Sequence, residues 1–194
     1  MTEDSSFPKL VSLAAHDLRT PLATVSGFAK TLIRGDSLEE PASRYVAMID
    51  AAATQMVELL DELGLAARIE GDRYEPILRE ADTLVLARGA AAELGEDRVR
   101  AGGEGGAVAV DLEATQRAVT ALAQCALRHG GVELVDVTAA GAELTIAPIT
   151  PASAPVVLGQ DLRDLGASVA VRLVQALGGS VEVSGEVLHV RLPA

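Results

Sequence analysis

The sequence has 194 residues, 49% of them apolar and only 2% aromatic, which suits one average domain or two small ones with a core of Ala, Val and Leu. Its 28 acidic against 16 basic residues give a net charge of −12, which argues against nucleic acid as a partner and against electrostatic attachment to an anionic membrane, since both rest on Lys and Arg. This much Leu and Val also excludes a chain disordered throughout.

In chain order, the first apolar series is Val11, Ala15, Leu18, Leu22, Val25, Ala29 and Leu32. Its alternating steps of four and three mark the a/d seam of a helix packed on partner helices. Gly35 follows where a left-handed C-terminal residue is wanted. Ser37 and Glu40 have the spacing of a capping box, and Pro41 is expected just inside the next helix. The second seam runs Tyr45, Ile49, Ala52, Met56, Leu59, Leu63, Ala66 in the same steps. Two such helices predict an antiparallel hairpin. Pairing with a second copy would bury both seams in a four-helix bundle, so a two-fold homodimer is expected, with packing on the chain's own C-terminal part as the alternative.

Arg68–Tyr74 reads as a linker, dividing a domain at 1–70 from one at 71–194. Beyond it the pattern predicts a strand near Glu75–Arg79, a helix near Ala81–Leu94, a strand near Ala107–Val110 and a helix at about Leu112–His129. Strands near Glu133–Val137 and Glu143–Ile146, a loop at Thr150–Pro155, a helix at Ser168–Leu177 and strands at Ser180–Val183 and Val187–Leu192 complete it. The fold class is α+β: the hairpin followed by an α/β sandwich with helices on one face of a sheet. The glycines of Gly102–Gly106 lack a following Lys-Ser/Thr and open no helix, so they read as a flexible connection between strands rather than a phosphate loop.

A lone cysteine, Cys125, excludes an internal disulfide and fits a reducing compartment. The first ten residues carry acids where a signal peptide has bases, and no apolar run reaches the roughly 18 residues of a spanning helix. A cytoplasmic location with no membrane segment in this chain is expected. Three scattered histidines and one cysteine show no metal-ligand spacing, so no metal site is expected. Cys125 reads as a small buried helix residue, His129 as a cation at a helix C-terminus before two glycines, and His189 as a structural residue of a terminal strand.

The run His16-Asp17-Leu18-Arg19-Thr20-Pro21-Leu22 resembles the phosphoacceptor box of sensor histidine kinases: His, an acid, Leu, Arg, Thr, Pro, Leu, matched without a gap. Ala15 and Leu18 are seam positions, so His16 lies beside the seam and can face solvent, within reach of both a donor and a receiver. Imidazole, with an ordinary pKa of roughly 6.5, is mostly unprotonated at neutral pH and is a good nucleophile. The resemblance implies that His16 accepts the phosphoryl group. It implies that Asp17 is the acid that orients the ring or takes its proton, although neighbours at i and i+1 do not face each other on a helix. It implies that Thr20, one turn after His16 on the same face, helps place the water that removes phosphate from a receiver. Pro21 lacks an N–H and is expected to bend the helix. Response-regulator receiver domains are the implied partners, docking at Arg19, Leu22 and Phe28 and on the second helix.

The C-terminal part is similar to the ATP-binding domain of the same kinases, with its ligand-contacting residues replaced. Gln124–His129 falls at the family's asparagine box. Ala126, Arg128 and His129 fit it, and Cys125 stands where the asparagine holds magnesium, although a thiol is a poor ligand for that hard cation. Ala147–Ala152 replaces the Asp-x-Gly-x-Gly loop that contacts adenine. Leu165–Ala170 keeps one glycine, Gly166, of the second glycine-rich loop, and Val171–Val183 matches the family's last helix and strand. The resemblance implies a degenerate nucleotide site around Cys125, His129 and Gly166, with no cofactor bound. The implied function is phosphorelay: His16 exchanging a phosphoryl group with receiver aspartates, as in kinase-like dimeric histidine phosphotransferases. Two alternatives stay open, an active but divergent kinase using ATP and magnesium, and a non-catalytic scaffold that binds a response regulator.

Overall fold

The computed structural model describes residues 6–35 and 38–194, so Ser37 of the expected capping box lies outside the described residues. The chain forms two compact units, Met1–Tyr74 and Glu75–Ala194.

The first unit holds α1 (Ser6–Arg34) and α2 (Ala42–Glu70). Ser12 meets Arg73, Arg19 meets Asp61 and Ser26 meets Asp50, a descending pairing that makes the helices antiparallel. α1 runs on through Pro21 and closes with Gly35 N–H donating to Thr31 O at 3.1 Å. Pro41 is the N-cap of α2 rather than a residue inside it. Arg68–Glu70, expected in a linker, continue α2 instead. They tolerate the helix, and the chain leaves it only at Gly71 and Asp72, the latter at φ 49°.

Within this hairpin the buried contacts are small. Ala15 and Ala29 of α1 and Ala53, Gly64, Leu65 and Ala67 of α2 are buried. A Cβ added at Gly64 would lie 3.9 Å from Ala15 Cβ, so the backbones approach closely beside His16. The larger seam residues are not covered. Leu18, Val25, Leu32, Tyr45, Ile49, Met56, Leu59 and Leu63 are 37% to 59% exposed in the single chain.

The second unit runs β1 (Leu78–Asp82), α3 (Thr83–Leu94), β2 (Val99–Gly105), β3 (Ala107–Asp111), α4 (Leu112–Gly130), β4 (Val135–Gly141), β5 (Glu143–Ala147), α5 (Ala154–Val157), α6 (Leu165–Ala176), β6 (Ser180–Ser184) and β7 (Val187–Arg191). Five strands form a mixed sheet in the order β2-β4-β5-β7-β6, with β2 parallel to β4 and the other pairs antiparallel. β1 and β3 make a separate antiparallel pair. Along β4, Val135, Val137 and Ala139 are buried while Asp136 and Thr138 are exposed, so one sheet face packs on helices and the other meets solvent. The core between them contains Leu86, Val99, Leu122, Leu144, Ile146, Leu173 and Leu188. An aspartate starts each of the three long helices of this unit: Asp82 accepts from Leu84 N and Val85 N, Asp111 from Ala114 N, and Asp164 from Ala167 N.

In the second unit three further expectations are corrected. The first strand lies at Leu78–Asp82 rather than Glu75–Arg79, because Asp82 fixes the strand-to-helix junction. The glycines of Gly102–Gly106 are not a free connection: most of them lie in β2, an edge strand. Gly103 has φ +93°, and a Cβ there would collide with Ala139 O, so the missing side chain is what lets β2 lie along β4. The loop at Thr150–Pro155 winds into α5 from Ala154, after Ser153 Oγ accepts from Thr150 N at 3.1 Å. Among the described residues no helix is long and apolar enough to cross a membrane.

Candidate phosphoacceptor site

Buried Ala15 turns its neighbour outward, and the His16 and Asp17 side chains are 74% and 68% exposed. His16 Nδ1 lies 3.2 Å from Asp17 Oδ1, a contact the helical spacing did not suggest. An ionised carboxylate can only accept, so this bond puts the imidazole proton on Nδ1 and leaves the Nε2 lone pair free. Nε2 has no hydrogen-bond partner among the described residues. Thr20 follows one turn later and is exposed, and its carbonyl accepts from Thr24 Oγ1 at 3.2 Å. Leu22 is half-buried, and Phe28 is exposed.

Polar contacts across the hairpin set the register below and above this site. Arg19 forms an ion pair with Asp61 of α2. Ser26 Oγ donates to Asp50 Oδ1 at 2.8 Å. Arg73, just past α2, donates to Ser12 Oγ at 3.3 Å, one turn before His16. The guanidinium of Arg19 therefore already has a partner within the chain.

In the second unit, Cys125 and His129 sit four residues apart on α4, and Asp164 is the N-cap of α6. His129 Nε2 and Arg128 Nη1 each lie 3.2 Å from Asp164 Oδ2, while Asp164 Oδ1 accepts from Ala167 N at 3.0 Å. His129 is thus held by a partner on another helix rather than simply ending α4. Burial, then the charge of Asp164, pushes the Cys125 thiol up to about 12. Ligand atoms of Cys125, His129 and Asp164 lie within 4.8 Å of one another. Sequence spacing set these residues apart because Asp164 is distant in the chain; the Cys125–His129 step of four on one helix was the available signal. Gly166 lies in the first turn of α6, just after Asp164.

An exposed histidine on the first helix of a hairpin, followed by a mixed sheet under helices, is an arrangement similar to that of two-component histidine kinases. Residues 9–72 match the His Kinase A (phospho-acceptor) domain. The chain is 37% identical over 60 residues to sensor protein DivL of Caulobacter vibrioides, covering 31% of this chain and 8% of DivL. It is 40% identical over 75 residues to sensor histidine kinase TrcS of Mycobacterium tuberculosis, covering 37% of this chain and 14% of TrcS. The chain therefore spans a small part of the length of these curated relatives. The crystal structure of full-length ShkA in complex with AMPPNP has the same fold over 96% of this chain and 46% of ShkA, with a TM-score of 0.69 at 19% identity.

Proposed function

We propose that this chain is a homodimeric phosphorelay protein that carries a phosphoryl group on His16 and exchanges it with response-regulator receiver aspartates. The observation that carries this reading is the exposed imidazole whose Nδ1 faces Asp17 at 3.2 Å. In the forward step, the Nε2 lone pair attacks the phosphorus of a receiver's aspartyl phosphate. The N–P bond forms as the acyl P–O bond breaks and the receiver carboxylate leaves. The imidazolium product keeps its Nδ1 proton, which the Asp17 carboxylate stabilises. The receiver's own Mg²⁺ would neutralise charge on the transferring group. Thr20 shares this face and would place water during dephosphorylation of a receiver. Arg19, Leu22, Phe28 and α2 would form the receiver-facing surface.

Two features of the second unit favour transfer from a receiver over use of ATP. A buried thiol, Cys125, stands where the resemblance to the kinases places the magnesium ligand, and a soft donor does not suit that ion. Asp164 places its own carboxylate on the N-terminus of α6, accepting from Ala167 N at 3.0 Å. It also engages Arg128 and His129. These residues do not fit a magnesium nucleotide. The uncovered seam residues on both helices support dimerisation, since a second hairpin would bury them.

The test is label transfer to the purified chain from radioactive ATP and, separately, from a phosphorylated receiver. Acid-labile label from the receiver, lost in His16→Ala, is expected. Label on His16 from ATP would make the chain a kinase. Receiver binding without any exchange would make it a scaffold.

A further inference from the structure

We infer that Cys125, His129 and Asp164 form a binding site for a divalent transition-metal ion of the zinc class. Such a site does not depend on the direction in which phosphoryl groups move. Cys125 and His129 stand at i and i+4, so their side chains share one face of α4 and can grip one ion, as two ligands on a helix do in other zinc sites. Asp164 supplies the third donor from α6. His129 Nε2 and Asp164 Oδ2 are 3.2 Å apart, and no ligand-atom pair exceeds 4.8 Å. Bonds of about 2.0 to 2.3 Å in a tetrahedron leave ligand atoms about 3.3 to 3.8 Å apart. The histidine–carboxylate pair is already near that spacing, and a side-chain rotation closes the remainder.

The donor set selects the ion. One sulfur, one imidazole nitrogen and one carboxylate oxygen suit zinc and its neighbours, not magnesium or calcium, which want oxygen alone. The orienting contacts are also in place. Ala167 N–H holds Asp164 Oδ1, which directs Oδ2 toward His129. Arg128 shares Oδ2 but its side chain is 57% exposed, so it can turn to solvent when an ion takes that oxygen. Cys125 is fully buried, Asp164 nearly so, and His129 is 18% exposed, giving a site shielded from solvent except at His129. Three protein ligands leave a fourth position for water or an incoming group. An ion there would tie α4 to α6 across the former nucleotide site.

The experiment uses the full chain stripped with a chelator. Cobalt(II) is titrated in, following visible and thiolate charge-transfer absorption, and zinc is measured by competition with a chromophoric chelator. One ion per chain with a thiolate band is expected, the ion displacing the Cys125 thiol proton and the proton His129 Nε2 shares with Asp164, both released to solvent. Cys125→Ser should abolish the band. His129→Gln should weaken zinc binding by more than the roughly 10- to 100-fold that loss of an outer partner causes. Asp164→Asn keeps an oxygen to accept from Ala167 and should also weaken binding. Metal-free thermal unfolding of each variant reports whether it folds, and zinc should raise the wild-type midpoint but not that of Cys125→Ser. No stoichiometric binding at micromolar zinc, an unchanged affinity in folded Cys125→Ser, or preference for magnesium would each overturn the inference.

Discussion

His16 Nδ1 and Asp17 Oδ1, on adjacent residues of α1, lie 3.2 Å apart at the surface of the hairpin. Side chains at i and i+1 diverge on a helix, so the contact forms because both groups are long enough to bend toward each other in solvent. It fixes which nitrogen is the nucleophile. Asp17→Asn can donate where the carboxylate could only accept, so it should favour the wrong tautomer. Transfer from a phosphorylated receiver should slow on the order of 100-fold, the lower end of what a positioned acid–base group contributes. His16→Ala should remove all label, with circular dichroism unchanged. Equal rates in Asp17→Asn and wild type would show the contact to be incidental.

The two seams make the next case. Ile49 and Met56 of α2 are 47% and 49% exposed in one chain, while Ala53 between them is buried. Covering the exposed half of each such side chain in a dimer contributes on the order of 1 kcal/mol, about half of the value for full burial. Ile49→Lys with Met56→Lys should therefore convert the dimer to a monomer by sedimentation, with helicity retained. A double variant that stays dimeric would place the interface elsewhere.

Arg19 and Asp61 pair across the hairpin at a site that is partly exposed. Such pairs contribute roughly 0–1 kcal/mol. Arg19→Ala should thus alter the urea midpoint little, yet weaken receiver binding if this surface docks receivers. A double-mutant cycle with Asp61→Ala separates the two effects. A large stability loss with unchanged receiver affinity would make Arg19 structural.

What the sequence made legible follows from where the physics is local. Heptad steps and the box from His16 to Leu22 lie within one helix, so periodicity alone reveals the hairpin and the exposed histidine. β2 was hidden because its glycines lack the β-branched signal of a strand; their role depends on Ala139 of a neighbouring strand. Asp164 was hidden for a similar reason. Its meaning comes from His129, 35 residues away in sequence, and only the packing of α4 on α6 brings the two together. The α2 heptad marks an exposed seam in the single chain, while the close approach of the two helices falls at small residues off that heptad, such as Gly64 beside Ala15.

Gly103 and Leu122 test the second unit's packing by opposite changes. Leu122 is fully buried, so Leu122→Ala should cost roughly 2–5 kcal/mol through lost burial and the cavity left behind. Gly103→Ala adds only one methyl group, yet at φ +93° and against Ala139 O it should cost about 1 kcal/mol or more. Urea unfolding followed by far-ultraviolet circular dichroism measures both. A neutral Gly103→Ala would mean that β2 pairs with β4 more loosely than its register implies.

Glu143 of β5 offers a pH test outside both sites. Its carboxylate accepts from His189 Nδ1 at 2.5 Å and from Arg191 Nε at 3.2 Å, both on the adjacent strand β7. The His189 hydrogen bond first, and that of Arg191 next, hold the carboxyl below its ordinary value of 4.5. A group whose folded value lies below its unfolded value binds fewer protons when folded. Its stabilisation is therefore present above about pH 4.5 and is lost as pH falls through the lower, folded value. The side chain is partly exposed, so solvent screening keeps the effect small. Glu143→Gln should be less stable than wild type near neutral pH, and the gap should narrow as urea unfolding is repeated at successively lower pH below about 4.5. A gap that widens on acidification would reverse the sign and show that the His189 and Arg191 contacts do not stabilise the charged carboxylate.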